Sequence, residues 1–191
     1  MKNKGLLKKI EIEFRSIFDE NRYLKLKKFL DKSAQDLGED DKDVFFFIMP
    51  DKLLKVVNNI SKNNAKLVLK LNKIGKGSDF EEIEVTILQA NFNEMVKLFT
   101  NFGITDNIMQ SFQKRHNYLY KDVELALKYS DVWGYHLEFE IVVDDISKKE
   151  MAEIKIKKVA NELGVHLMTD QELIKFTKNA EEKYKKQNKK L

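Results

Sequence analysis

The chain has 191 residues, of which 42% are hydrophobic and 35% are charged. This length suits one domain with a substantial buried core. The chain contains no cysteine, which excludes disulfides, thiol nucleophiles and zinc–thiolate sites. The formal net charge is +4, but residues 178–191 carry six lysines and two glutamates, so residues 1–177 are formally neutral. The body therefore has no net basic surface, which argues against a nucleic-acid partner; attraction of nucleic acid by the lysine-rich tail is the minority interpretation.

No apolar run approaches the length that spans a membrane, and Leu6-Leu7 is too short for the core of a signal peptide. We therefore expect no membrane association and a cytoplasmic location. We expect one domain over residues 1–177, followed by a lysine-rich helix end or tail over residues 178–191. No pattern in the sequence predicts an oligomeric state.

Alternation of apolar and polar residues predicts eight strands, and apolar residues at helical spacing predict four helices. In chain order, the predicted strands are residues 9–18, 43–49, 53–58, 65–73, 80–88, 109–120, 121–128 and 136–143. The predicted helices are residues 23–37, 91–103, 147–164 and a helix that begins at Thr169. Asn63-Asn64 and residues 75–78 predict hairpin turns. Because most strands follow one another directly, an antiparallel sheet or barrel fits better than strand–helix–strand units.

Three Glu-x-Glu pairs lie inside predicted strands. They are Glu11-Ile12-Glu13, Glu82-Ile83-Glu84 and Glu138-Phe139-Glu140. Side chains two residues apart share one face of a strand, so each pair places two carboxylates side by side. Carboxylates at that density repel one another unless water, basic groups or cations lie between them. Carboxylate oxygens are also the ligands that hard divalent cations require, so the pairs are candidate metal ligands.

Basic side chains follow the same alternation. Lys66 and Lys70 share one strand face, Lys128 shares a face with Glu124, and Arg15 lies on the face of the first Glu-x-Glu pair. Most strands therefore have an apolar face and a charged face of mixed sign. A flat sheet would expose the charged face to water, whereas a closed sheet would turn it inward. Since four helices need apolar surface to cover, we favour an α+β fold: a single-domain antiparallel β-barrel with helices packed on the outside.

In this order, these residues resemble the CYTH superfamily of triphosphate tunnel metalloenzymes, which contains class IV adenylyl cyclases and several triphosphatases. The resemblance rests on residues 11–15 (Glu-Ile-Glu-Phe-Arg), 65–70 (Ala-Lys-Leu-Val-Leu-Lys), 80–84 (Phe-Glu-Glu-Ile-Glu), 113–116 (Gln-Lys-Arg-His) and 134–140 (Gly-Tyr-His-Leu-Glu-Phe-Glu). It spans residues 10–176 and is greatest for the class IV adenylyl cyclase branch. Phe80 stands where the family often has arginine, and Lys128 where many members have a metal-associated aspartate.

The resemblance implies divalent-metal-dependent phosphoanhydride chemistry on a nucleoside triphosphate or polyphosphate, with Mg²⁺ or Mn²⁺ as the metal. The implied metal ligands are Glu11, Glu13, Glu82, Glu84, Glu138 and Glu140. The implied substrate-binding residues are Arg15, Lys55, Lys66, Lys70, Arg115 and Lys128, of which Arg115, Lys66 and Lys70 are the candidate catalytic residues.

Two reactions stay open at this point. An adenylyl cyclase would convert ATP to cyclic AMP and pyrophosphate, and a triphosphatase would release orthophosphate. The alternatives are a non-catalytic module that binds polyphosphate or nucleotide, and a scaffold whose charged faces are solvated.

Overall fold

The structure is a computed structural model that describes residues 10–71 and 77–188. The described strands are β1 (Ile10–Ile17), β2 (Gln35–Glu39), β3 (Lys42–Ile48), β4 (Leu53–Asn59), β5 (Asn64–Lys70), β6 (Asp79–Ile87), β7 (Ile108–Tyr120), β8 (Val123–Ser130) and β9 (Gly134–Val143). The described helices are α1 (Glu20–Ser33), α2 (Phe92–Asn101), α3 (Lys149–Glu162) and α4 (Asp170–Asn188), with 3₁₀ turns at Gln89–Asn91 and Ile146–Lys148. Lys9, the end of the predicted strand 65–73, half of the predicted turn 75–78 and the Phe80 side chain lie outside the described part.

Eight of the strands close into an antiparallel barrel. Their order is β7-β3-β4-β5-β6-β1-β9-β8, and β8 pairs back with β7 to complete the circle. β2 is an additional strand that pairs with β7 outside this circle. The predicted α+β barrel is therefore confirmed.

The apolar strand faces point outward, where the helices cover them. Ile12 of β1, Leu125 of β8 and Phe139 of β9 pack with Leu30 of α1 and Ile156 of α3 in one buried cluster. On the opposite side, strands β3 and β4 pack against α2 in a second cluster, which contains Phe47, Leu54, Val56 and Phe92. Where the helices cover one strand face in this way, the alternate face, which carries most of the charged side chains, points into the barrel; the outward Ile83 and Val85 of β6 stay about half exposed.

The first predicted helix extends too far. Residues 23–37 were expected to be helical, but α1 ends at Ser33 and Gln35–Glu39 forms β2. The reason is the length of β7: β3 pairs with its first half, which leaves the edge beside residues 116–119 open for β2. The ladder gives the backbone of β2 hydrogen-bond partners, and Gly38, with φ of +86°, accommodates the shift of register between Asp36 and Gly38.

The last helix, α4, runs along the barrel beyond residue 177. Ala180 is buried, Glu181 accepts a 3.0 Å hydrogen bond from Asn107, and the Tyr184 hydroxyl accepts one of 3.0 Å from the backbone N–H of Gln110. The division into a domain over residues 1–177 and a tail over 178–191 stays a prediction. In residues 10–71 and 77–188, no helix is long and apolar enough to cross a membrane.

Candidate functional site

The barrel encloses a cavity of about 590 Å³, within the range of small-molecule sites. Its acidic lining residues are Glu11, Glu13, Asp40, Glu82, Glu84, Glu124, Glu138, Glu140 and Glu181. Its lysine and arginine lining residues are Arg15, Lys42, Lys52, Lys55, Lys62, Lys66, Lys70, Arg115 and Lys128. Among the residues that the structure describes, the two sets are equal in number, so this part of the lining is formally neutral but densely charged. Every predicted metal ligand and substrate-binding residue lies in this lining.

Lys70 is the centre of one buried group of charges. Its Nζ lies 2.7 Å from Glu82 Oε1, 2.9 Å from Glu13 Oε2 and 3.5 Å from Glu11 Oε2. The sheet register explains the group, because Lys70 of β5 stands opposite Glu82 of β6 while β1 pairs with the start of β6. Lys55 joins it through a 3.8 Å contact with Glu82 Oε1. Acidic and basic side chains are therefore interspersed in this part of the cavity lining and are not segregated on separate sides of the barrel.

Glu138 is the centre of a second group. It accepts a 3.1 Å hydrogen bond from Arg15 Nε, forms an ion pair with Lys128 and lies 3.8 Å from Arg115 Nη1. The register again sets the contacts, since Arg15 of β1 stands opposite Glu138 of β9. Arg15 also pairs with Glu13, which connects this group to the one around Lys70.

Lys66 and Glu84 lie apart from both groups. They form an ion pair with each other, and their side chains are 35% and 47% exposed. Of the predicted metal ligands, Glu84 is thus the one that the structure does not bring to the buried carboxylates. An exposed pair of this kind contributes little to stability.

The pKa values of the buried groups follow their surroundings. Burial opposes ionisation of Glu82, but Lys55 and Lys70 outweigh it and lower the pKa of Glu82 to about 2. Burial likewise opposes ionisation of Glu138, but Lys128, Arg15 and Arg115 hold its pKa well below the usual range. Burial is the main cause that lowers the pKa of Lys55 to about 8 and that of Lys128 to about 7. The Glu82 and Glu138 carboxylates are therefore already neutralised by neighbouring cations.

Glu11 and Glu140 differ from the other buried acids. Burial raises the pKa of both, to about 7 for Glu140, whose neighbour Glu11 raises it further. Glu140 stands opposite Glu13 on one side and Glu124 on the other, and it forms no ion pair with any described residue. A positive charge at this place would restore ionisation of both groups.

A divalent cation fits the chemistry of this part of the cavity. Carboxylate oxygens are its preferred ligands, and Glu140 forms no ion pair with any described residue. Glu13 stands opposite Glu140, and to bind the ion it would exchange its contacts with Arg15 and Lys70. Glu11, Glu13 and Glu140 are the residues that could hold the ion. In the described residues as they stand, no three His, Asp or Glu side chains already form a metal-binding group.

The structure adds a polar group that the sequence did not reveal. Asp40, which is 2% exposed, contacts Lys42, Lys62, Asn59, Arg115 and Asn117. Lys42 could have been found, because it continues the inward alternation of β3. Asp40 lies between β2 and β3, where no periodicity indicates which way a side chain points.

The cavity has an apolar end, where β3 finishes and β7 begins. Phe46, Met49, Met109 and Trp133 contribute to the lining there. The Arg15 guanidinium lies 5.6 Å from the centroid of the Trp133 ring, so this end borders the charged groups directly.

Solved structures share this fold. A conserved hypothetical protein from Pyrococcus furiosus is 23% identical, with a TM-score of 0.67 over 82% of this chain and 91% of that one. A Vibrio parahaemolyticus protein with a proposed adenylate cyclase activity is 14% identical, with a TM-score of 0.62 over 85% and 91%. A Hippeastrum protein, a proposed adenylyl cyclase with a dominant triphosphatase activity, is 16% identical, with a TM-score of 0.57 over 83% and 89%.

No protein-family model and no curated protein sequence matches the chain. At these identities the structural likeness establishes the fold. That fold agrees with the barrel expected from the resemblance to the CYTH superfamily.

Proposed function

We propose that the protein is a divalent-metal-dependent triphosphatase that binds the triphosphate group of a nucleotide, or an inorganic polyphosphate, inside the barrel. The observation that carries this proposal is the cavity of about 590 Å³, which nine lysine or arginine and nine acidic side chains of residues 10–71 and 77–188 line. Burial of so many charges is costly. A polyanion bound together with metal cations would use both signs of charge, the bases for phosphate oxygens and the acids for the metal.

The proposed phosphate-binding residues deep in the cavity are Arg15, Lys55, Lys70, Arg115 and Lys128. Lys66 is a further proposed phosphate-binding residue that lies nearer to solvent. In the unliganded protein, Lys70 and Lys128 contact carboxylates, so an incoming phosphate group would compete with Glu13, Glu82 and Glu138 for them. The guanidinium groups suit two-point contacts with phosphate, which lysine cannot make.

Glu11, Glu13 and Glu140 are the proposed holders of Mg²⁺ or Mn²⁺, because two of them have raised pKa values that a cation would relieve. Glu82 and Glu138 would hold the basic residues in place, since cations already neutralise both. The bound metal would supply positive charge to phosphate oxygens as the phosphoanhydride breaks. The barrel residues hold the phosphates in line and keep their charges neutralised.

Adenylyl cyclase is the second candidate, and it is supported by the likeness to the Vibrio protein. In that reaction the ribose 3′-hydroxyl attacks the α-phosphorus and pyrophosphate leaves. A non-catalytic binding module is supported by the ion pairs that already occupy Lys70 and Lys128, the latter at a position where many CYTH members have aspartate.

One assay separates these candidates. Purified protein is incubated with ATP, GTP or tripolyphosphate and with Mg²⁺ or Mn²⁺, and the products are resolved. Orthophosphate supports the triphosphatase, and cyclic nucleotide with pyrophosphate supports the cyclase. Thermal stabilisation by tripolyphosphate without turnover supports the binding module.

The variant that tests the metal-binding residues is Glu11→Gln with Glu13→Gln, which should abolish metal-dependent turnover. Its matched control is Glu94→Gln with Glu150→Gln, which changes two exposed glutamates on α2 and α3. Full activity of the Glu11/Glu13 variant would contradict the assignment of these carboxylates.

A further inference from the structure

Asp40 connects several polar side chains at one end of the cavity. Its carboxylate lies 2.7 Å from Lys42 Nζ and 3.1 Å from Arg115 Nε, and it accepts hydrogen bonds of 2.6 Å from Asn59 and 3.2 Å from Asn117. The cations outweigh the effect of burial and keep the pKa of Asp40 below its usual value. Asp40 is therefore a buried anion that is fully engaged by donors.

Arg115 is held at its backbone as well as at its side chain. Its N–H donates to Asp41 Oδ1 at 2.8 Å, and its carbonyl accepts from Asp40 N–H at 2.8 Å. Its Nε donates to Asn117 Oδ1 at 2.7 Å besides its 3.1 Å contact with Asp40. These contacts fix the direction of the guanidinium plane.

The two terminal nitrogens of Arg115 are less engaged. Nη1 lies 3.8 Å from Glu138 and Nη2 lies 3.9 Å from Glu124, both beyond hydrogen-bond distance. Neither nitrogen makes a hydrogen bond to any residue in the described ranges. A guanidinium anchored through Nε presents its paired N–H groups to a tetrahedral anion, which is the geometry of two-point phosphate recognition.

We propose that Asp40 is a positioning residue for phosphate binding. It pairs with Arg115 and accepts a hydrogen bond from Asn117, the residue that accepts the Nε–H of Arg115, and so holds the guanidinium with Nη1 and Nη2 facing the cavity, where they bind one phosphate group of the substrate. Asp40 also holds the Lys42 ammonium beside Arg115, where the two cations would otherwise repel each other. This inference rests on the proposed function, and it adds Asp40 to the residues on which recognition of the triphosphate depends.

The test is a double-mutant cycle on binding. The dissociation constant of tripolyphosphate with Mn²⁺ is measured by calorimetry for the wild type, Asp40→Asn, Arg115→Lys and the double variant. The loss of one charge-assisted interaction weakens binding about tenfold, which we expect for Asp40→Asn and for Arg115→Lys. Because Asp40 acts through Arg115, we expect the dissociation constant of the double variant to exceed that of Arg115→Lys by no more than about twofold.

The matched control is Asp43→Asn. Asp43 adjoins Lys42 in β3 but accepts hydrogen bonds from Gln110, and its substitution should leave the dissociation constant unchanged. A purely structural role of Asp40 would weaken binding equally in the presence and in the absence of Arg115. Additive effects in the cycle would therefore overturn the inference.

A measurement on the wild-type protein does not depend on the folding of the Asp40 variant. In nuclear magnetic resonance spectra, the Arg115 Nε–H signal should exchange slowly with water and keep its position on saturation with tripolyphosphate, while the Nη signals shift. A change in the position of the Nε–H signal would overturn this inference and leave the proposed function standing. Failure of the wild type to bind tripolyphosphate would overturn this inference and the proposed function together, whereas wild-type binding with an unaffected Asp40→Asn variant would overturn only the inference.

Discussion

Replacement of Lys70 by methionine tests whether the charges in the barrel are interdependent. The Lys70 side chain is 4% exposed, and its ammonium lies within 3.5 Å of carboxylate oxygens of Glu82, Glu13 and Glu11. The substitution leaves these acids without their common counter-ion. Removal of one partner from a buried ion network costs about 3–5 kcal/mol. Because Lys55 still neutralises part of the charge on Glu82, we expect about 3 kcal/mol.

The assay is thermal unfolding at neutral pH. For a chain of this length, about 3 kcal/mol corresponds to a decrease in Tm of roughly 6–12 °C. The matched control is Lys66→Met, on the same strand, whose ion pair with Glu84 is partly exposed. That control should lose less than about 1 kcal/mol. Equal losses in the two variants would refute the description of Lys70 as the centre of a buried ion network.

The pH dependence of the Lys70→Met effect has a definite sign. Lys70 helps to lower the pKa of Glu82 from its ordinary 4.5 to about 2. A lowered pKa in the folded state contributes stability above pH 4.5 that is lost as the pH falls towards 2. The wild type and Lys70→Met should therefore approach each other in stability over that range. At neutral pH, Mn²⁺ should stabilise Lys70→Met more than the wild type, since the metal can replace the missing cation.

The remaining predictions concern three other places in the fold. Burial and Glu11 raise the pKa of Glu140 from 4.5 to about 7, so the wild type loses stability as the pH rises between these values. Glu140→Gln should therefore be more stable than the wild type at pH 8 by about 3 kcal/mol but equal to it at pH 4. Chemical denaturation at both pH values checks this, and a difference independent of pH would contradict it. Truncation after residue 177 removes the buried Ala180 and the Tyr184 hydrogen bond, so Tm should fall by several degrees; an unchanged Tm would support a separate tail. Gly38→Ala places a Cβ at φ of +86° and should cost about 1 kcal/mol in the same unfolding assay, and no loss would show that β2 tolerates the strain.

The sequence predicted the barrel because local periodicity and the count of helices agreed. Ile10 and Ile12 alternate with Glu11 and Glu13, and such alternation fixes which side chains share a face before any partner strand is known. The need of four helices for an apolar surface then decided which face points outward. Both signals can be read without knowledge of which strands pair, and the helix-covered apolar faces agree with them.

The sequence could not predict which charges meet. Lys70 contacts Glu13, which lies 57 residues away, because β5, β6 and β1 adopt one particular register, and alternation alone does not set the register between strands. The sequence did not predict β2 for a similar reason, because β2 pairs with the open edge of β7, a strand far along the chain. Asp40 lies in an irregular connection, where no period indicates the direction of its side chain.

The most direct test of the central proposal is anomalous diffraction from crystals of the protein grown with Mn²⁺ and tripolyphosphate. We expect a manganese peak at the carboxylates of Glu11, Glu13 and Glu140, with phosphate density inside the barrel against Arg115 and Lys70. Manganese and tripolyphosphate bound only on the outer surface, with the ion pairs of Lys70 unchanged, would contradict the account.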